Sequence, residues 1–212
     1  MFIISRVKLG LGAGLVLATV WLCGAVWAQD DALRFRVEGS VAYGNGTIYP
    51  GSARYFERFM EDHPEVRTLV LQDMPGSQSE RATLALARHI RRLGLNTHLT
   101  AQSDIASGAT DVFVGGVKRT IACGAGFGVH SWQATEVGPD GSMSVYTARD
   151  IARDPNHVDH KATIRYFEDM GLTAKFYWFT VDAAPFQGMY YMTPTQLEQF
   201  GIVTEPMGCD RR

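Results

Sequence analysis

The chain has few cysteines and no dense run of basic residues. Three cysteines occur among its 212 residues, and its formal net charge is −2. A nucleic-acid surface needs clustered lysine and arginine, so this charge distribution argues against a nucleic-acid partner. No group of cysteine, histidine and acidic residues has the spacing of a structural zinc site. The sequence therefore predicts no metal and no other cofactor.

A long uncharged stretch lies close to the N-terminus. Arg6 and Lys8 precede the apolar run 9–26, and Ala25-Val26-Trp27-Ala28 offers small side chains for a cleavage site. This pattern predicts a signal peptide over residues 1–28 and a periplasmic or secreted protein. The run also approaches the roughly 20 residues of a membrane span, so an uncleaved segment would anchor the protein. Membrane contact is predicted only through this segment.

The remaining residues, 29–212, suffice for one well-buried domain and are too few for two typical ones. This domain contains Cys123 and Cys209. An even cysteine count in an oxidising compartment favours pairing, which would fix the C-terminal tail near the strand that precedes His130. Two unpaired thiols are the alternative.

The domain alternates apolar segments with turn residues. Its pattern predicts a strand over Leu33–Val41, a hairpin turn at Tyr43-Gly44-Asn45-Gly46, helices over Ser52–Asp62, Ser79–Leu93 and His160–Met170, and strands over Val66–Leu71 and Asn96–Leu99. This order fits an α/β domain. Both a spiral of ββα units and a generic three-layer sheet remain compatible with it.

Two short segments carry candidate chemistry: Ala106-Ser107-Gly108-Ala109 and Gly128-Val129-His130-Ser131. A serine at a helix start lies where backbone N–H groups point towards developing negative charge. Histidine is the usual acceptor of a serine proton near neutral pH. The turn Asp73-Met74-Pro75-Gly76-Ser77 follows an apolar run, and its amides would complete an oxyanion hole. These segments predict a serine hydrolase.

The Pro-Gly turn, the Ala-Ser-Gly-Ala segment and the Gly-Val-His segment occur in the order of the Clp protease proteolytic-subunit family. The chain resembles this family of the Clp/crotonase superfamily over roughly 37–204, and most of all its exported Clp-like branch. The resemblance implies a single α/β domain built as a Clp/crotonase-like spiral of ββα units. It also implies that Ser107 is the nucleophile, that His130 is the general base, and that the amides of Ser77 and Gly108 form the oxyanion hole. A peptide or protein substrate and a homo-oligomer are further implications.

The sequence departs from this family at the third catalytic position. The family has an acidic residue just before its closing helix, whereas Gln187-Gly188-Met189-Tyr190 contains no carboxylate. That residue normally fixes the tautomer of the histidine. Asp182, Gln187 or a backbone carbonyl would have to orient the ring, or Ser107 and His130 would act as a dyad. The segments 191–197 and 200–203 resemble the closing helix and strand of the family.

Other readings of the same residues stay open. The missing acid, together with Ser77 in place of the usual glycine, favours an inactive peptide-binding or assembly module as the alternative. A crotonase-like acyl-CoA enzyme has weaker support, since it rests on fold analogy alone. His157 and His160 flank Asp159, and this spacing predicts a solvated helix face more readily than a metal site. The aromatic segment 176–179 is either a subunit contact or core.

Overall fold

The computed structural model describes residues 31–209, so the predicted signal peptide over 1–28 lies outside the described residues. The strands are β1 (Arg34–Glu38), β2 (Val41–Asn45), β3 (Thr68–Leu71), β4 (Asp73–Met74), β5 (Asn96–Leu99), β6 (Asp104–Ala106), β7 (Arg119–Ile121), β8 (Gly126–Val129), β9 (Gln133–Val137), β10 (Met143–Thr147) and β11 (Tyr190–Tyr191). The helices are α1 (Ser52–Asp62), α2 (Glu80–Arg92), α3 (Gly108–Val114), α4 (Val158–Asp169), α5 (Ala174–Ala183) and α6 (Pro194–Gln199). None of the helices between residues 31 and 209 is long and apolar enough to cross a membrane.

From β3 onwards, successive strands of the chain alternate between two sheets up to β8. The larger sheet has the order β1-β2-β3-β5-β7, and the smaller has the order β11-β8-β6-β4. The chain passes from the larger to the smaller sheet three times, from β3 to β4, from β5 to β6 and from β7 to β8. Helices α2 and α3 follow the first two of these passages. The predicted spiral of ββα units is therefore confirmed, and the generic three-layer sheet is wrong.

The core lies where these strands meet helices α2 to α5. The apolar side of α2 is buried through Leu84, Leu86, Ala87 and Ile90. Ser79 caps this helix, since its Oγ accepts a hydrogen bond from the Ala82 amide at 3.2 Å. The aromatic segment 176–179 belongs to α5, and its first two side chains are fully buried in the core.

The hairpin turn predicted at Tyr43-Gly44-Asn45-Gly46 is wrong. This segment continues β2, which pairs with β1 in antiparallel register, and the chain reverses at Gly39 and Ser40. Gly39 has a φ of +58°, a conformation that glycine adopts without strain. Gly44 lies inside the strand. A side chain does not fit at this position, because a Cβ on residue 44 would approach Phe35 Cε1 to 2.7 Å. The glycine reflects close packing rather than a turn.

The C-terminal segment contains a disulfide-bonded cysteine and a short helix. A disulfide joins Cys123 to Cys209, which is the paired alternative of the two that the sequence left open. The closing helix is present as α6, with Thr193 at its N-cap. No strand follows it within the described residues, so the closing strand expected at 200–203 is absent.

Arg119 is the physical reason for this difference. Its side chain is 5% exposed and donates to the backbone carbonyls of Ile202 and Gly201 at 2.7 and 2.8 Å, so a side chain, and not a neighbouring strand, satisfies both carbonyls. Longer hydrogen bonds reach the carbonyls of Gly116, Val114 and Met170. Burial, assisted by Arg91, lowers the pKa of Arg119 to about 10, so the guanidinium stays charged at neutral pH. It joins the C-terminal ends of α3, α4 and α6.

Replacing this guanidinium tests its structural role. Arg119→Met leaves several buried carbonyls without a donor, and we expect it to lower the free energy of unfolding by about 3 kcal/mol. Urea denaturation measures the change. Arg58→Met, at an exposed position of α1, should cost less than about 0.5 kcal/mol. Equal effects of the two substitutions would contradict this role of Arg119.

Candidate active site

Ser107 occupies the sharp junction between β6 and α3. Its φ of +53° and ψ of −132° make it the only non-glycine residue with a positive φ between residues 31 and 209. Such a conformation costs on the order of 1–3 kcal/mol and persists only where the surroundings impose it. The Ser107 amide donates to Gly128 O at 2.9 Å, and its carbonyl accepts from the amide and the hydroxyl of Thr110. The backbone is therefore fixed on both sides of the strained residue.

The turn after β4 packs directly against this junction. A Cβ at Gly76 would lie 2.9 Å from Ser107 Cβ, and a Cβ at Gly108 would lie 2.6 Å from Ser77 Cβ. Within the part of the chain that the structure describes, the amide N–H groups of Ser77 and Gly108 donate no hydrogen bond. Two unused amides beside a serine are the donors that an oxyanion hole requires.

The side chain of Ser77 points into its own loop. Its Oγ accepts hydrogen bonds from Thr83 Oγ1 at 2.7 Å and from the Ser79 amide at 2.9 Å. The hydroxyl in turn donates to Ser79 O at 3.0 Å. Serine can therefore replace the usual glycine of this turn while its backbone amide remains unused.

His130 follows β8 just as Ser107 follows β6. The two strands are parallel neighbours, with Ala106 opposite Gly128, so the residues after them emerge at the same edge of the sheet. The His130 ring lies 5.5 Å from the ring of Phe186, measured between centroids. All four predicted site residues, Ser77, Ser107, Gly108 and His130, line one cavity of about 570 Å³. The ribbon of β9 and β10 forms another wall of this cavity.

The surroundings of His130 favour its neutral form. Burial lowers the pKa of the imidazole, and the nearby backbone of Ser131 and Phe186 opposes this effect in part. Nδ1 is buried and has no hydrogen-bond partner among residues 31–209. Ser107 Oγ and His130 are not hydrogen-bonded to each other in the described chain; such bonds often form only when a substrate is bound. A neutral imidazole is the state that a general base needs.

The candidates for a third catalytic residue differ in whether they lie next to His130. Asp182 directs its carboxylate to Arg153 Nη1, at 2.9 and 3.1 Å, and not to His130. Gln187 is exposed and has no hydrogen bond in the described residues. Within the described residues, the polar groups found beside the His130 ring are the backbone groups of Ser131 and Phe186. Among the alternatives left open by the sequence, a backbone group is the one next to the histidine.

The sequence interpretation missed the acidic residues of the cavity. Glu80, Asp111 and Asp159 all contribute to its lining. Asp111 lies one helical turn after Ser107, and burial together with the Glu80 carboxylate raises its pKa to about 8. The four-residue spacing from Ser107 was the only signal in the sequence that pointed to Asp111.

His160 is not part of a solvated face, so that expectation is wrong. Its ring is completely buried on the inner side of α4, and Nδ1 is 2.6 Å from the hydroxyl oxygen of Tyr177. The same hydroxyl accepts a hydrogen bond from Trp132 Nε1 at 2.8 Å. His160 therefore supports the Trp132 wall of the cavity from behind.

The strain at Ser107 predicts an unusual order of stability. Ser107→Gly and Ser107→Ala both remove the hydroxyl, but only glycine adopts a positive φ without steric cost. After allowance for the larger entropy of glycine in the unfolded chain, Ser107→Gly should be more stable than Ser107→Ala by about 1 kcal/mol. This difference corresponds to roughly 2–4 °C in a thermal melt. An alanine variant of equal or greater stability would contradict the strained geometry.

Comparisons with known proteins concern the fold alone. No family model and no curated protein matches the sequence. Among solved structures, a mutant of the 1510-N membrane-bound stomatin-specific protease is similar, with 14% identity, a TM-score of 0.49 and 80% of each chain covered. A putative enoyl-CoA hydratase/isomerase from Acinetobacter baumannii has 10% identity and a TM-score of 0.44, covering 82% of this chain and 75% of its own. The fold assignment rests on the strand order described above.

Proposed function

We propose that this chain is an exported, Clp-like serine peptidase in which Ser107 is the nucleophile and His130 the general base. The observation that carries the proposal is the positive φ of Ser107 beside the unused amides of Ser77 and Gly108. A non-glycine residue in this conformation reduces stability, and such strain concentrates at catalytic sites. The cavity that contains these residues and His130 provides room for a substrate.

The proposed reaction follows from which atoms are available. Ser107 Oγ attacks the carbonyl carbon of the substrate, and its proton passes to Nε2 of His130, since Nδ1 is buried. The carbonyl oxygen becomes an oxyanion that accepts hydrogen bonds from the amides of Ser77 and Gly108. The leaving amine takes the proton from His130 as its bond to carbon breaks. Water then attacks the acyl ester and gives a proton to His130, and His130 passes that proton to Ser107 Oγ as the ester bond breaks and the acid leaves.

Among residues 31–209 no carboxylate contacts His130, and this sets the expected rate. In a full triad the acid holds the imidazole in the correct tautomer and stabilises its charged form. Removing that acid from a triad costs on the order of 10⁴ in kcat, whereas removing serine or histidine costs on the order of 10⁶. The Ser107 and His130 pair, with only backbone groups beside the ring, should therefore act as a slow dyad.

The location of the protein belongs to the same proposal. The N-terminal segment and its small side chains favour cleavage after Ala28 and release into the periplasm or the medium, with membrane anchoring if the segment is retained. The disulfide between Cys123 and Cys209 supports this location, because such bonds persist in oxidising compartments. A homo-oligomer is part of the proposal through the family resemblance alone.

An inactive peptide-binding module is the second candidate. The observation that favours it is the ion pair between the Asp182 carboxylate and Arg153, since it leaves the His130 imidazole without an acidic partner within residues 31–209. In that case the cavity would hold an extended peptide without cleaving it.

Covalent labelling separates the two candidates. We expect a fluorophosphonate probe to modify the protein at Ser107, because attack on phosphorus needs the same nucleophile and base as peptide hydrolysis. Ser107→Ala and His130→Ala should lose the labelling, and peptide mapping by mass spectrometry identifies the site. Ser142→Ala, which removes an exposed hydroxyl, is the matched control and should label like the wild type. If Ser107→Ala were labelled as strongly as the wild type, the assignment of Ser107 as the nucleophile would be wrong. A folded wild type that is not labelled would favour the binding module.

The pH dependence of labelling tests the role of His130. Because burial lowers the pKa of this histidine, the labelling rate should remain full at pH 7 and fall only as the pH drops below the ordinary value of about 6.5. Protonation removes the base, so the rate must decrease towards acid. A midpoint above pH 7, or a profile that changes in the distant variant His63→Gln, would contradict this assignment.

A further inference from the structure

Trp132 forms one wall of the cavity beside Ser107. It follows His130 by two residues in the chain, and its side chain is half-buried. The ring of Tyr146 meets the indole edge to face, with centroids 6.0 Å apart and an interplanar angle of 82°. Both rings line the cavity, so the position of the indole affects the shape of the space next to the nucleophile.

One hydrogen bond fixes the direction of this ring. Trp132 Nε1 donates to the hydroxyl oxygen of Tyr177, on α5, at 2.8 Å. An indole has one N–H donor and no acceptor, so a single bond satisfies its only polar atom. Tyr177 is 1% exposed, and its neighbours in the core therefore hold the accepting oxygen in place. The bond joins the cavity wall to a buried helix.

His160, on α4, fixes the Tyr177 hydroxyl in turn. Its ring is fully buried, and Nδ1 lies 2.6 Å from the Tyr177 oxygen. Because the indole can only donate, the Tyr177 oxygen accepts from Trp132, and among residues 31–209 its own hydrogen has Nδ1 of His160 as its acceptor. Burial, together with His157, lowers the pKa of His160, so the ring is neutral at pH 7 and Nδ1 can accept. The three side chains form one directed series of hydrogen bonds.

The backbone around Trp132 is attached independently of its side chain. The Ser131 amide donates to Ala184 O at 2.9 Å, and Trp132 O accepts a hydrogen bond from the Ala148 amide at 3.2 Å. Loss of the Tyr177 hydroxyl therefore leaves the backbone next to His130 in place. The indole N–H then lacks an acceptor in the core and reaches water only if the ring turns, since an unpaired buried donor is costly. Such a turn changes the wall of the cavity.

We propose that Tyr177 is a positioning residue for substrate binding, because its hydroxyl holds the Trp132 ring in the orientation that contacts the substrate beside the attacked carbonyl. The proposal rests on the proposed serine peptidase activity. Tyr177 is not among the described residues that line the cavity, so it acts through Trp132 and touches no reacting atom. His160 contributes by orienting the Tyr177 hydroxyl.

Two sulfonyl fluorides of different size test this role. Phenylmethanesulfonyl fluoride and methanesulfonyl fluoride both react with a nucleophilic serine: Ser107 Oγ bonds to sulfur, fluoride leaves, and the hydroxyl proton passes to His130. Only the first reagent carries an aromatic ring. The measured quantity is the ratio of the two second-order rate constants, in which a change in the reactivity of Ser107 cancels. We expect Tyr177→Phe to lower this ratio about fivefold, because a well-oriented aromatic pair contributes roughly this factor.

Tyr55→Phe is the matched control. It removes a hydroxyl that accepts a hydrogen bond from the Phe35 amide at 3.1 Å, on α1 and outside the lining of the cavity. The ratio in this variant should equal that of the wild type. Trp132→Leu removes the ring and should lower the ratio at least as far as Tyr177→Phe does, and adding Tyr177→Phe to it should have no further effect. An unchanged ratio in folded Trp132→Leu overturns the proposal even if Tyr177→Phe fails to fold.

The indole N–H reports the hydrogen bond without any reaction. Its peak in a proton–nitrogen NMR spectrum, identified by its loss in Trp132→Leu, should exchange slowly with heavy water in the wild type and in Tyr55→Phe, and rapidly in Tyr177→Phe. An unchanged exchange rate in folded Tyr177→Phe overturns the proposal.

The two reagents also distinguish failure of this role from failure of the proposed activity. Reaction at Ser107 with the same ratio in the wild type and in Tyr177→Phe overturns the positioning role and leaves the hydrolase. A folded wild type that reacts with neither reagent overturns the hydrolase and the positioning role together.

Discussion

The hydrogen bond between the Ser107 amide and the Gly128 carbonyl is the contact on which the site depends. It joins the residue after β6 to the adjacent strand β8, and β8 leads directly into His130. The same bond holds Ser107 at a positive φ, which turns its side chain away from the strand and into the cavity. Gly76 and Gly108 then allow the neighbouring turn to approach closely enough to bring two unused amides beside the hydroxyl. The pairing of β6 with β8, the strained backbone of Ser107 and the lack of side chains at Gly76 and Gly108 thus together form the candidate active site.

Two ionisable groups, Arg119 and Asp111, affect stability in opposite ways. Arg119 is completed by the protein itself, since backbone carbonyls accept its hydrogen bonds, and it therefore stabilises the fold. Burial and the Glu80 carboxylate raise the pKa of Asp111 to about 8, so Asp111 is mostly protonated in the folded protein at neutral pH, and the free energy of unfolding falls as the pH rises from about 4 to about 8 because the unfolded chain ionises first. A group that reduces stability at neutral pH is typical of a binding or catalytic site.

The sequence predicts the parts of this structure that depend on local patterns. Apolar runs bounded by glycine and proline located most of the helices and strands, and short motifs located the serine and histidine that the structure brings to one cavity. Long-range contacts explain the errors. Gly44 was interpreted as a turn because its packing against Phe35 is not visible in the local pattern. Arg119 likewise binds backbone carbonyls that are distant in the sequence, and Glu80 and Asp111 line the same cavity only in the folded chain.

The most direct test of the active-site assignment is the structure of the protein after reaction with a fluorophosphonate. We expect phosphorus bonded to Ser107 Oγ, with the phosphoryl oxygen about 2.7–3.1 Å from the amide nitrogens of both Ser77 and Gly108. We also expect the His130 ring to face the modified oxygen. Phosphorus on another residue, or a phosphoryl oxygen that contacts neither amide, would contradict the assignment of this cavity as an active site.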